Sequence, residues 1–165
     1  MSSQILSQDK IDKILKRIAF QVVENNFQES AICLVGITGQ GYQMALRLKE
    51  LIAAIKPEVS LSTYELFVSK ENPVRKDIHL NVPLDQLQDQ VVVVVDDVMN
   101  TGRTQAYALG YLLQLSLKKV ETAVLVNRQH TRFPIAATYS GISLSTTLDD
   151  HIEVRLENEV GAYLY

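Results

Sequence analysis

Five consecutive valines, residues 91–95, form the segment that most restricts how this chain can fold. A strand in which every residue is apolar has to be buried on both faces, which is typical of a central strand in a parallel sheet covered by helices. The run leads directly into Asp96 and Asp97 and then into VMNTGRT, residues 98–104. The sequence therefore predicts an α/β protein with two carboxylates at the end of a central strand.

Helical and strand patterns alternate around this segment. Apolar residues recur at helical spacing in segments 9–26, 44–55 and 104–117, and short apolar runs of strand type occupy 31–37, 59–69, 79–82 and 120–127. This alternation predicts a mainly parallel central sheet with flanking helices. After Pro134 the helical pattern ends, and three short strand-like pieces (137–144, 151–156 and 162–165) predict an extra strand or a small C-terminal cap.

The composition restricts the class of protein further. The 165 residues contain no repeat, low-complexity tract or Gly/Ser linker, which predicts one domain over residues 1–165. The net charge of -3 means that a nucleic-acid partner would need a local basic patch. The single cysteine, Cys33, lies in an apolar run and is interpreted as a core residue. There is neither a signal-peptide pattern nor an apolar run of membrane length, so we expect a cytoplasmic protein without a membrane partner.

The motif DDVMNTGRT allows several interpretations. In the plainest one it is a turn into a helix, capped by Thr101 or Thr104, with solvated aspartates; this does not explain two adjacent like charges after a buried strand. An acidic residue that binds magnesium in a nucleotide hydrolase would need a G-x-x-x-x-G-K-[ST] loop elsewhere in the chain, and the sequence lacks one. The sequence signal for a dinucleotide-binding site is weak, because Met44 stands where a glycine or alanine should follow Gly39 and Gly41.

A sugar phosphate fits all residues of the motif. Two ionised carboxylates only accept hydrogen bonds, so Asp96 and Asp97 can take the protons of two neighbouring pentose hydroxyls. A 5-phosphate needs backbone N–H groups at a helix N-terminus together with small hydroxyls. The residues that could supply this cradle are Asn100, Thr101, Gly102, Arg103 and Thr104.

Residues 91–104 resemble the phosphoribosyl-diphosphate (PRPP) signature of type I phosphoribosyltransferases: a hydrophobic strand, two acids and T-G-x-T. Most of the chain is similar to one subfamily, the bifunctional pyrimidine operon regulators and uracil phosphoribosyltransferases. The segments that carry this resemblance are KRIAFQVVENN, LVGITGQGYQMALRLKELI and AVLVNRQHTRFPIAATYSG, where residues 127–130 read NRQH in place of the usual D-R-G-H.

The resemblance implies the type I phosphoribosyltransferase fold and transfer of a phosphoribosyl group from PRPP, with Mg²⁺, to a nucleobase, uracil in this subfamily. It implies catalytic roles for Asp96, Asp97, Arg75 and Arg128, with the two aspartates holding the ribose hydroxyls directly or through magnesium. It assigns diphosphate to a loop formed by Thr38, Gly39, Gln40 and Gly41. It further implies a flexible flap over residues 70–77, whose best cations are Arg75 and Lys76, and a homodimer or higher homo-oligomer.

Two departures from the subfamily limit these expectations. Relatives carry a lysine and an arginine in the diphosphate loop, where this chain has Thr38 and Gln40. Loss of two cations should weaken both diphosphate binding and stabilisation of the leaving group, so we expect PRPP or ribose-5-phosphate recognition with weak uracil turnover. A relative that senses a nucleotide and has lost catalysis is the alternative.

An RNA-binding regulator of pyrimidine genes is another alternative. Relatives hold an mRNA stem-loop with basic and histidine residues, and Lys16 and Arg17 remain here. Phe20 replaces a histidine, however, and later basic positions read Thr131 and Ala136, which disfavours an RNA partner because phosphate contacts dominate nucleic-acid affinity. The acid-base cluster at 149–151 is interpreted as a solvated turn before a strand.

Overall fold

The computed structural model describes residues 2–73 and 77–165. These residues contain nine strands and three α-helices. The helices are α1 (Gln8–Asn25), α2 (Gln40–Ile55) and α3 (Arg103–Leu112). The strands are β1 (Ser3–Ser7), β2 (Ala31–Ile37), β3 (Ser60–Phe67), β4 (His79–Leu80), β5 (Val91–Met99), β6 (Lys119–Asn127), β7 (Tyr139–Ser143), β8 (Ile152–Arg155) and β9 (Gly161–Leu164).

Six strands form the central sheet in the order β4-β3-β2-β5-β6-β7. All neighbours in it are parallel except β3 and β4, which pair as an antiparallel hairpin. The predicted α/β class and the mainly parallel sheet are confirmed. The valine strand lies inside the sheet between β2 and β6, which explains why it carries no polar residue before Asp96.

The valines of β5 are divided between two hydrophobic cores by the two-residue period of a strand. Val93 and Val95 belong to the core that α1 and α2 cover. Val92 and Val94 belong to the core on the opposite face, which contains Ala108 and Leu112 of α3. Each face of the strand is therefore buried by a different set of helices, as the unbroken valine run predicts.

A second, antiparallel sheet forms the cap, in the order β1-β9-β8. Its strands β8 and β9 come from the predicted C-terminal pieces, whereas β7 joins the edge of the central sheet. The sequence pattern does not predict β1, which pairs with β9 from the other end of the chain. Strand β8 contacts β5, so the cap lies near the carboxyl ends of the parallel strands.

Two of the differences between predicted and observed element boundaries bear on the site and on the core beside it. Helix α3 ends at Leu112 rather than at residue 117, because the chain then tightens into turns in which the amides of Gln114 and Leu115 each donate to the carbonyl three residues before. Strand β5 continues to Met99, so the two aspartates lie within the paired strand rather than after it. The helix change leaves Leu113 exposed, while Leu115 still packs against the core of α3.

The predicted flap, residues 70–77, joins β3 to β4. Arg75 and Lys76, its predicted cations, lie outside the described residues. Next to it, the rings of Phe67 and His79 stack at a centroid distance of 4.7 Å across the hairpin. Within the part of the chain that the structure describes, no helix is both long and apolar enough to cross a membrane.

Candidate functional site

A cavity of about 840 Å³ opens at the carboxyl ends of the central strands, where ligands bind in open parallel sheets. The cap strand β8 forms its opposite wall. Among the described residues its lining comprises Gln40, Lys70, the stretch Asp96–Val98, the stretch Asn100–Gln105, Tyr107, Arg132, Phe133, and His151 together with the residues of β8. The predicted ribose and 5-phosphate residues are thus brought together in one cavity.

The carboxylate of Asp96 is almost completely removed from solvent, with 1% of the residue exposed. Its Oδ1 accepts a hydrogen bond from the amide of Asp97 at 2.9 Å, and its Oδ2 accepts one from Nε2 of Gln105 at 3.1 Å. Asp97 is 8% exposed and lies beside it. These hydrogen bonds fix the direction of the Asp96 carboxylate before any ligand arrives.

Lys70 is the cation that faces this pair. Its Nζ lies 3.1 Å from Oδ1 of Asp96 and 3.0 Å from Oδ1 of Asp97, within hydrogen-bonding distance of both. The side chain reaches in from the connection between β3 and β4 and remains about half exposed. A single ammonium therefore bridges two carboxylates that would otherwise repel each other across the strand end.

The electrostatics of the acids follow from burial and this contact. Desolvation, and then the charge of Asp97, raise the pKa of Asp96 well above its ordinary value, and Lys70 opposes this rise. Burial by itself would lower the pKa of Lys70, but the charges of Asp96 and Asp97 outweigh it and hold that pKa above its usual value. Lys70 is therefore charged at neutral pH, and Asp96 is a carboxyl group whose ionisation depends on its neighbours.

Glycines bring the predicted diphosphate loop against the acidic strand. A Cβ atom on Gly41 would lie 2.8 Å from the carbonyl oxygen of Val95 and 3.0 Å from Oδ1 of Asp96. A Cβ on Gly36 would lie 2.5 Å from Cα of Tyr42. The separations of 2.8 Å and 2.5 Å are shorter than real contacts allow, so the start of α2 can pack on β5 and on β2 only because Gly41 and Gly36 lack side chains.

The turn before α3 has the geometry of the predicted 5-phosphate cradle. Gly102 has a φ of 83°, in the left-handed region that favours glycine, and is the N-cap of α3. No side chain of the described residues caps the helix, in contrast to the interpretation in which Thr101 or Thr104 does so. Thr101 instead accepts, through Oγ1, a 3.3 Å hydrogen bond from the amide of Arg103. Apart from this bond to Arg103, the described residues give the first turn of α3 no side-chain cap, and this turn faces the cavity, where an anion could bind.

The side chains of the predicted diphosphate loop have protein partners. Oγ1 of Thr38 donates to Oε1 of Glu65 at 3.0 Å, and Oε1 of Gln40 accepts from the amide of Leu156 at 2.8 Å. Gln40 lines the cavity, whereas Thr38, Gly39 and Gly41 lie outside its lining as far as the described residues define it. The cations that the sequence analysis found missing are therefore replaced by neutral groups that tie the loop to β3 and to the cap.

Arg128, predicted to be catalytic, is buried below the turn rather than in the cavity lining that the described chain provides. Its guanidinium donates to Oδ1 of Asn100 and Oγ1 of Thr146, both at 2.9 Å, and to the carbonyls of Thr147 at 3.0 Å and Asp150 at 2.7 Å. These bonds occupy all three of its nitrogens. The geometry is that of a residue which positions Asn100 and the loop before β8.

Several lining residues were missed by the sequence analysis. Gln105 and Lys70 contact the acids directly; no motif marks Gln105, and Lys70 begins the predicted flap, whose predicted cations are Arg75 and Lys76 instead. His151, just before β8, and all four residues of β8 line the cavity, and His151 belongs to segment 149–151, for which the sequence predicts a solvated turn.

The donor set suits a magnesium ion bound together with a ligand. Mg²⁺ prefers oxygen ligands and is usually held by one or two carboxylates plus substrate phosphates and water. Asp96 and Asp97 supply two such carboxylates at the cavity wall. Among the described residues there is no cluster of three or more acidic, histidine or cysteine side chains that could hold a metal without a ligand. The two aspartates therefore fit a metal shared with a phosphorylated sugar.

Comparison with known proteins places this geometry in a family. The phosphoribosyl transferase domain family matches residues 1–157. A bifunctional protein PyrR from Clostridium kluyveri is 31% identical over 165 residues, covering 94% of this chain and 91% of the relative. A bifunctional protein PyrR from Herpetosiphon aurantiacus is 35% identical over 162 residues, covering 93% and 89%.

Solved structures agree on the fold. A hypoxanthine-guanine phosphoribosyltransferase from Bacillus anthracis superposes with a TM-score of 0.79 at 16% identity, covering 99% of this chain and 96% of that one. A hypoxanthine phosphoribosyltransferase from Staphylococcus aureus superposes with a TM-score of 0.72 at 19% identity, covering 86% and 77%. At such low identity the likeness establishes the architecture and leaves the choice of base to the site itself.

Proposed function

Because the chain belongs to the type I phosphoribosyltransferase family, in its PyrR-like subfamily, we propose that it binds PRPP with magnesium and transfers the phosphoribosyl group to uracil, giving UMP and diphosphate. The observation that carries the proposal is the position of two buried carboxylates beside an uncapped helix N-terminus in a single cavity. This arrangement matches a sugar that presents two hydroxyls at one end and a phosphate at the other.

Each part of the cavity has a role in this reaction. Asp96 and Asp97 accept from the ribose hydroxyls and so orient the anomeric carbon. The backbone of Gly102, Arg103 and Thr104, with the hydroxyls of Thr101 and Thr104, binds the 5-phosphate. Magnesium, when bound, supplies positive charge to the departing diphosphate. The cap strand β8 limits the access of water to the reacting carbon.

The leaving-group half of the site supports slow turnover. Thr38 and Gln40 offer neutral groups that already have protein partners, and in the described loop neither position carries a cation for the developing charge. Arg75 and Lys76 of the predicted flap are the proposed sources of that charge. We accordingly propose weak transferase activity, with Arg128 positioning Asn100 rather than touching the substrate.

An RNA partner is disfavoured by the use that the fold makes of Arg17. Its Nη2 donates to the carbonyls of Ser140 at 3.2 Å and Gly141 at 2.6 Å, and its Nη1 donates to Gln21 at 3.1 Å. A guanidinium held in this way fastens α1 to β7 and has fewer donors left for a phosphate backbone. Filter binding of the cognate pyrimidine leader RNA at low salt tests this, and specific retention would restore the regulatory alternative.

The test of the proposed function is a panel assay. Diphosphate release is followed with PRPP, magnesium and, in turn, uracil, hypoxanthine, guanine, adenine, orotate or xanthine. We expect slow release with uracil alone and none above background in the Asp96→Asn, Asp97→Asn double variant. Asp85→Asn, a change of the same kind at an exposed position, serves as the control and should leave the rate unchanged. Release with a purine and not with uracil would contradict the choice of base.

The family resemblance also leads us to propose a homodimer or higher homo-oligomer acting in the cytoplasm. Light scattering of the purified protein measures the oligomeric state directly. A mass equal to the 18.5 kDa chain across the working concentration range would contradict an oligomer.

A further inference from the structure

The contact of Lys70 with both acids places a cation where the ribose end of a PRPP site would take its metal. Nζ lies 3.1 Å from Oδ1 of Asp96 and 3.0 Å from Oδ1 of Asp97. We propose that Lys70 is the resident cation of this site: it excludes a divalent ion from the free protein and lets ribose 5-phosphate or a nucleoside 5′-monophosphate bind without metal.

The exclusion follows from which atoms are shared. A magnesium ion bound to a carboxylate lies about 2.0–2.1 Å from its oxygen and requires near-octahedral geometry. The ammonium uses the Oδ1 atoms of both aspartates, while Oδ2 of Asp96 already accepts from Gln105. A divalent ion bridging the two acids would therefore have to displace Lys70. Two cations at this spacing would repel each other strongly in a partly buried site.

The protein provides few further ligands for a metal ion that would displace Lys70. In the described chain the acids have no third carboxylate, histidine or cysteine close enough to complete a metal cluster. Further ligands must then come from water or from the phosphates of a substrate. A ligand with a diphosphate can bring the missing oxygens and compete with Lys70, whereas a single 5-phosphate at the start of α3 lies at the other end of the sugar.

The other half of the cavity also favours a ligand with one phosphate. The side chain of Thr38 is bonded to the carboxylate of Glu65, and that of Gln40 to the amide of Leu156. The loop contributes an uncharged group to each contact, and both contacts tie the loop to neighbouring segments. A ribose 5-phosphate needs only the acids, Lys70 and the turn before α3, and all of these are held together in the free protein.

Lys70 can also leave the site. Its side chain is about half exposed, and it stands in the connection between β3 and β4 that the sequence predicts as the flap. Exchange of Lys70 for a metal would therefore release that connection from the carboxylates.

The first test measures metal binding to the ligand-free protein by titration with Mn²⁺ followed by electron paramagnetic resonance. Lys70→Met should bind Mn²⁺ at least about tenfold more tightly than the unaltered protein, because the competing charge is gone. Lys70→Arg keeps the charge and should continue to exclude the metal. Lys118→Met, which removes a surface lysine paired with Glu29 at 2.6 Å, is the matched control and should show no change.

Equal Mn²⁺ affinity in the unaltered protein and in Lys70→Met would overturn the proposal. Thermal melts of each variant establish that it is folded before the comparison is made. If Lys70→Met does not fold, Lys70→Gln, which keeps much of the length and polarity, replaces it with the same expectation.

The second test rests on the proposed function and measures UMP and ribose 5-phosphate binding by calorimetry in EDTA and in magnesium. The unaltered protein should bind UMP with affinities that agree within about threefold in the two buffers. Lys70→Met should lose about tenfold in EDTA and recover in magnesium. A tenfold loss in EDTA for the unaltered protein would overturn the proposal. Failure of every protein to bind either ligand contradicts the proposed function instead, and the Mn²⁺ titration still decides the role of Lys70.

Discussion

Gly41 lies so close to Asp96 that a Cβ atom on the glycine would be 3.0 Å from Oδ1 of the aspartate and 2.8 Å from the carbonyl oxygen of Val95. The loop predicted to bind diphosphate and the strand predicted to bind ribose are thus in direct contact. A side chain added at Gly41 would have to displace either the loop or the strand. The position of Asp96 therefore depends in part on the lack of a side chain at Gly41, near the start of α2.

Gly41→Ala should therefore disturb the site and the fold together. Overpacking of this kind costs about 1–3 kcal/mol, since backbone as well as the Asp96 side chain must shift. We expect a lower urea midpoint and at least about tenfold weaker PRPP binding. Urea denaturation and calorimetry measure the two effects.

Gly110→Ala is the matched control, because a Cβ at this exposed position of α3 meets nothing within 4 Å. Alanine favours a helix over glycine by up to about 1 kcal/mol, so this variant should be slightly more stable and bind PRPP normally. A Gly41→Ala protein that behaves like Gly110→Ala would show that the loop does not control the position of Asp96.

Asp96 makes the stability of the free protein depend on pH. Its pKa is higher in the folded protein than in the unfolded chain, where a carboxyl group titrates near 4. The folded state therefore holds the proton more tightly than the unfolded chain does. The contribution of this group to the free energy of unfolding is largest below the unfolded pKa and is lost as the pH rises through the folded pKa.

Asp96→Asn removes this loss while keeping the shape of the side chain. At pH 8 we expect the variant to be more stable and to melt at a higher temperature than the unaltered protein. The difference should shrink as the pH approaches 4. Thermal melts across this range measure it, and a variant that is less stable at pH 8 would contradict the raised pKa.

Arg128 should matter for stability more than its predicted catalytic role suggests. Loss of its four hydrogen bonds in Arg128→Met would leave Asn100 and two carbonyls without their donor, at a cost of about 2–4 kcal/mol. Arg128→Lys should rescue only part of this, because an ammonium cannot reproduce the planar set of donors.

The measurement for Arg128 separates structure from chemistry. Urea denaturation gives the stability of each variant, and the panel assay gives kcat and KM. We expect a raised KM for PRPP through displacement of Asn100, with a smaller effect on kcat. A stable Arg128→Met protein with a large loss confined to kcat would establish contact with the reacting groups instead.

Cys33 should report on unfolding rather than on activity. The residue is 1% exposed, and burial raises the pKa of its thiol to about 11, so the reactive thiolate is scarce at neutral pH. We expect negligible labelling by a thiol reagent at pH 7.5 in the native protein and full labelling in urea. Rapid labelling of the native protein would place Cys33 outside the core to which its strand pattern assigns it.

The fold could be predicted largely because its patterns are local. The valine run specifies a two-sided buried strand, and the spacing of apolar residues specifies the three helices. The strand β1 could not be found in the same way. Its partner β9 lies at the opposite end of the chain, and SQILS by itself carries little strand pattern.

In the candidate site, too, the residues that are contiguous in sequence could be predicted and those brought together by the fold could not. The acids and the turn at Gly102 are contiguous in sequence, so a motif could indicate them, and the cavity contains both. Lys70 lies 26 residues before Asp96 and meets it only because β3 and β5 end at the same edge of the sheet. Gln40 was predicted to face diphosphate, and its bond to Leu156 could not be foreseen, since that bond depends on where the cap folds back.

The central claim is that the two acids at the end of β5 bind the ribose of PRPP. Calorimetry of PRPP in the presence of magnesium tests it most directly, with the unaltered protein compared with the Asp96→Asn, Asp97→Asn double variant. We expect a saturable signal for the unaltered protein and none for the variant, while thermal melts show that the variant is folded. Equal PRPP affinity in the two proteins would contradict the assignment of the site.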